Sequence, residues 1–144
     1  MRNIIILVLT LFISACGSYN FEPTPAPKEI VTIVYTTQSQ SGSKTWNMIN
    51  DNLKVTITSK SRSGQVTANK SMYSTYDRFA SVITNLEKAN FTQAKSIPVN
   101  SQSQTSETMV IEKHAKTYTY TQNSTTRFPK AVQQAVSYIV GTFK

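Results

Sequence analysis

Few side chains in this sequence could carry chemistry. His114 is the only histidine and Cys16 the only cysteine. A histidine base needs a nucleophile and an orienting acid within hydrogen-bond reach. Asp77 and a serine would have to supply them, yet no GxSxG elbow or other nucleophile context is present. Glu107 and Glu112 are an odd number of positions apart in a segment that reads as a strand. Alternation sends them to opposite faces, unsuited to paired acid–base work. The glycines form no phosphate-cradling loop, and no His/Cys/Asp/Glu cluster has metal-ligand spacing. His114 reads as an ordinary residue at a strand end. The chain is not expected to be an enzyme, and no cofactor or metal is expected.

Recognition is the other kind of chemistry. Tyr35, Trp46, Tyr73, Tyr118 and Tyr120 are amphipathic rings, and Lys54 and Lys116 lie close to them along the chain. Tyr and Trp are enriched at interface hot spots, so this set is the candidate binding surface. The competing reading is that most of these rings pack a sheet.

Cys16 closes the run Ile13-Ser14-Ala15-Cys16. Arg2 and the apolar stretch Ile4 to Ile13 precede it, giving the charged, apolar and small-residue parts of a secretory signal. The apolar stretch falls well short of the roughly 20 residues that cross a bilayer. Ile13-Ser14-Ala15-Cys16 resembles the lipobox of bacterial lipoproteins, a resemblance that covers the signal region only. It implies cleavage before Cys16, a diacylglyceryl thioether on that sulfur and usually a third acyl chain such as palmitate on its amine. Two or more chains hold a protein stably on a membrane without spanning it. Gly17 stands where inner-membrane retention usually calls for Asp, which implies the outer membrane and leaves its face open. A lone thiol also excludes an intramolecular disulfide and CxxC chemistry.

The expected organisation is a signal peptide over 1–15, a lipid-anchored tether over 16–27 and a single domain over 28–144. Pro23, Pro25 and Pro27 favour extended polyproline II in the tether. Removing residues 1–15 takes away Arg2 and no acid, leaving 14 basic and 7 acidic side chains. That balance favours an anionic partner: an acidic envelope protein, a glycan or an anionic lipid. The export signal argues against nucleic acid. Small lipoproteins of this plan act as assembly factors, inhibitors or immunity proteins, so a non-catalytic binding module of the cell envelope is expected. A purely structural envelope component without a discrete ligand is the alternative, and an envelope hydrolase a lesser one.

The elements that must position these residues follow from periodicity. Glu29 to Thr37 alternates as a strand, with Val31, Ile33 and Tyr35 on one face and Ile30, Thr32, Val34 and Thr36 on the other. Gln38 to Ser43 reads as a polar loop. Lys44 to Ile49 follows as a strand, then a turn at Asp51-Asn52. Leu53, Val55 and Ile57 mark a third strand, and Val66, Ala68 and Met72 a fourth beyond Ser63-Gly64. Ser74-Thr75-Tyr76-Asp77 resembles a capping box opening a helix that buries Phe79, Val82, Ile83 and Leu86 and ends near Asn90. Thr92 to Thr108 reads as a long polar loop. Met109 to Lys113 and Lys116 to Gln122 read as two strands joined at His114-Ala115, or as one longer strand. Pro129 opens a closing helix with Phe128, Val132, Ala135, Val136, Ile139, Val140 and Phe143 on its apolar stripe. The order β-β-β-β-α-β-β-α predicts an α+β fold: an antiparallel sheet of about five to six strands with two helices packed on one face. The other face would be rich in Thr, Ser and Lys.

Overall fold

The computed structural model of the chain describes residues 30–100 and 104–144. The signal segment, Cys16 and the tether lie outside the described residues. Stretches rich in β-branched and aromatic residues form the long strands: β1 (Ile30–Ser39), β2 (Gly42–Ile49), β3 (Lys54–Ser61), β4 (Val66–Tyr73), β6 (Ser106–Lys113) and β7 (Lys116–Gln122). They make one antiparallel sheet in the order β4-β3-β2-β1-β6-β7. Helix α1 (Tyr76–Lys88) lies between β4 and β6 in sequence, and α2 (Lys130–Thr142) follows β7. The class is α+β.

The sheet residues of the core stand in two cross-strand rows. One runs Tyr120, Met109, Tyr35, Trp46, Ile57; the next runs Tyr118, Ile111, Ile33, Met48, Val55. These side chains form one cluster with Phe79, Val82, Ile83 and Leu86 of α1 and Val132, Ala135 and Ile139 of α2. Fully burying each such side chain is worth about 1.5–3 kcal/mol. At β4 the rows continue into Lys70 and Met72, but only Met72 is even partly covered.

Several details depart from the sequence expectation. Ile30 pairs with Lys113 and Thr32 with Glu112, so Val31 is an extra residue in β1. This bulge turns Ile30 into the core and leaves Val31 41% exposed, the reverse of simple alternation. The polar loop over Gln38 to Ser43 shrinks to the two-residue turn Gln40-Ser41, because Ser39 pairs with Gly42. Helix α1 is capped by Thr75, whose Oγ1 accepts from Arg78 N at 3.4 Å. The Ser74/Asp77 box does not form; Asp77 still sits in the first turn, where the helix dipole favours it. The long polar segment is less irregular than expected. It holds a 3-10 turn (Phe91–Gln93) and a short strand β5 (Ile97–Pro98) that pairs with β8 (Thr126–Arg127). Phe91 is fully buried in the core.

His114 and Ala115 do form a turn, giving two strands rather than one. Lys113 pairs with Lys116 across it. Both turn residues have positive φ, 48° and 60°, as a two-residue hairpin turn of the primed type demands.

Candidate binding face

The seven residues of the expected aromatic and basic surface do not come together. Tyr35, Trp46 and Tyr120 are 3%, 4% and 5% exposed and belong to the core. This corrects the surface reading: each ring is buried and its polar tip is satisfied internally. Tyr35 OH donates to Glu107 Oε2 at 2.9 Å, Trp46 Nε1 to Phe143 O at 2.9 Å, and Tyr120 OH to Phe91 O. Tyr35 also stacks on Trp46 at 5.3 Å, and Lys44 Nζ lies 4.7 Å over the indole. Burial, with the Glu107 carboxylate beside it, pushes the Tyr35 hydroxyl well above the usual tyrosine range. Burial also raises Tyr120, with a smaller contribution from Tyr118. Tyr118 is half-buried, edge-on to Phe91 at 5.3 Å. Lys116 is exposed beside the hairpin turn, far along the sheet from β4.

Lys54 and Tyr73 are the pair that the fold does bring together. They are direct register partners on β3 and β4, and Tyr73 is 78% exposed. They close a cross-strand row that runs Thr117, Glu112, Thr32, Ile49, Lys54, Tyr73. This row lies on the face opposite the core rows, since alternate residues point to opposite sides. The row four positions along runs Thr121, Thr108, Thr36, Thr45, Thr58, Asn69. Its side chains are tied across strands, Thr36 Oγ1 to Thr45 Oγ1 at 3.1 Å and Thr58 Oγ1 to Asn69 Oδ1 at 3.4 Å. Lys60 belongs to the same face of β3, and Arg62 stands in the turn after it. No acid occurs between Asp51 and Asp77, so the β3–β4 hairpin is uniformly positive. In the sequence, the acid-free interval around Lys60 and Arg62 was the usable signal.

Two grooves offer polar groups. One, of about 310 Å³, is lined by Glu107, Gln122, Arg127, Gln133 and Ser137. Its amides hold the chain entering α2: Gln122 Oε1 accepts from Phe128 N at 3.2 Å and Gln133 Nε2 donates to Phe128 O at 2.6 Å. The other lies along the two helices beside Asp77, Ser81, Lys88 and Tyr138. Glu107 and His114 stand at opposite ends of β6, about 20 Å apart at strand rise, so they form no acid–base pair. Among the described residues no group of three or more His, Cys, Asp or Glu could hold a metal, and no helix is long and apolar enough to cross a membrane. No protein-family model matches the chain, and no curated protein matches its sequence.

Proposed function

We propose that this chain is a membrane-anchored lipoprotein of the bacterial cell envelope that acts as a small non-catalytic binding module. In this reading Cys16 carries the lipid, residues 16–27 space the domain from the outer membrane, and both helices cover one face of the sheet. The other face meets the partner. The observation that carries the reading is the basic end of that face: Lys54 against the exposed Tyr73, with Lys60 and Arg62 beyond and no acid in the hairpin. A positive patch with an exposed ring favours an anionic partner, an acidic envelope protein ahead of a glycan or an anionic lipid.

The test is crosslinking in intact cells, pull-down of the lipidated protein and mass spectrometry, with Cys16→Ala and Lys54→Glu/Lys60→Glu forms alongside. A single stoichiometric envelope protein, reduced in both variants, supports the reading. Capture indifferent to the charge reversal refutes the basic end as the contact. No partner above background refutes a dedicated protein partner and favours glycan, lipid or a structural role.

A further inference from the structure

The two edges of the sheet differ in a way that bears on self-association. Asn50 N donates to Val31 O at 3.0 Å, which fixes the hydrogen-bonding phase between β1 and β2. Antiparallel pairs alternate between bonded and non-bonded. Carrying that alternation through the β1–β6 and β6–β7 registers points the main-chain groups of Tyr118 and Tyr120 toward β6. Those of Thr117, Thr119 and Thr121 point outward, off the edge of the sheet. Thr126 Oγ1 donates to Thr121 O at 3.2 Å, consistent with that phase, and a carbonyl can accept a second bond. Thr117 and Thr119 are exposed.

An unpaired strand edge is a template for another strand, and proteins blunt such edges with lysine or proline. The β4 edge follows that rule, with Lys70 in its middle and Lys60 and Arg62 nearby. The β7 edge does not. Its residues Thr117-Tyr118-Thr119-Tyr120-Thr121 carry no charge and no proline, and they read the same in both directions. A strand with that symmetry is its own antiparallel complement about Thr119.

We propose that a second copy of this chain docks on β7, the two β7 strands pairing antiparallel about a two-fold axis through Thr119. Thr119 faces its own copy, Thr117 faces Thr121, and Tyr118 faces Tyr120. At the ends Lys116 meets Gln122, so like charges never oppose. The interface is isologous, and both copies consume the same edge, which β8 touches only at its Thr121 end, so association stops at two. The axis stands normal to the sheet and keeps both polar faces on one side. This dimer is independent of the partner reading above.

The test is disulfide trapping of the full chain in the cell envelope. Opposed residues of a bonded antiparallel pair lie about 5.5 Å apart at Cα, within the range a disulfide spans. Thr119→Cys should give a covalent dimer on a non-reducing gel after mild oxidation. Thr117→Cys alone should not, because its counterpart in the second copy sits about 13 Å away along the strand. Thr117→Cys/Thr121→Cys should restore the dimer. Wild type, with Cys16 as its sole cysteine, controls for that thiol. Trapping of Thr119→Cys no stronger than that of Asn69→Cys on the β4 edge would overturn the proposal. Equal trapping of Thr117→Cys and Thr119→Cys would also overturn it, since that is random collision. As a second measurement, Thr119→Lys with unchanged circular dichroism should sediment in detergent at half the protein mass of wild type; an unchanged mass refutes the β7 interface.

Discussion

Single residues here are placed by what their polar atoms can reach. Tyr35 buries its ring beside Trp46 and keeps its hydroxyl on Glu107. Its pKa is raised in the folded state above the ordinary tyrosine value of 10.0. A raised acid stays protonated in the fold while the unfolded chain ionises. The stability tied to it is therefore complete below pH 10.0 and falls as pH rises above that point. Tyr35→Phe should flatten the loss of stability above pH 10.0, read as urea midpoints across an alkaline series. Gly42 makes a harder demand. Its φ is +145°, and a Cβ there would sit 2.0 Å from Lys60 O. Gly42→Ala should lower stability by about 3 kcal/mol, measured by urea unfolding. The sequence made the aromatic residues conspicuous without saying which way they face. Tyr and Trp suit a core and an interface equally, and the deciding partners, Glu107, Phe143 and Phe91, are remote in sequence. Tyr73 differs because its register with Lys54 sets it on the face away from the core, which no local pattern records.

At the scale of elements, periodicity carried far but failed where an extra residue or a tight turn intervened. The six long strands and both helices were legible, because alternation and the helical stripe follow from burial on one side. The bulge at Val31 was not, since an inserted residue leaves the composition of the strand intact. The His114-Ala115 turn also lacked its usual signature. Both residues adopt left-handed backbone, which costs an ordinary L-residue about 1–2 kcal/mol. Asn-Gly is the sequence that geometry prefers. His114→Asn/Ala115→Gly should therefore raise stability by about 1 kcal/mol, seen as a higher urea midpoint with an unchanged slope. The cap of α1 slipped by one residue from Ser74 to Thr75, a choice between adjacent hydroxyls that sequence cannot make. Phe91, between the expected helix end and the polar loop, had no place in the sequence reading, although its 3-10 turn buries it completely.

For the molecule as a whole, the α+β class was readable from the order of its elements, whereas the proposed binding face was not. That face emerges from five registers acting together, bringing Lys54 to Tyr73 and aligning Thr121, Thr108, Thr36, Thr45 and Thr58. The proposed anchor predicts that wild type incorporates labelled palmitate in cells and that Cys16→Ala does not, read by fluorography of the immunoprecipitated chain. The sheet order has one more consequence. β1, the earliest strand among the described residues, ends in the interior, with β2 on one side and β6 on the other. Its second flank is filled only by residues 106–113, after β4, α1 and the polar segment. Contacts of that sequence separation slow folding. In the proposed export, a chain threaded out N-terminus first would wait with the flank of β1 uncovered until β6 emerges, a delay that would keep it extended during transit and commit it to folding late, near its destination.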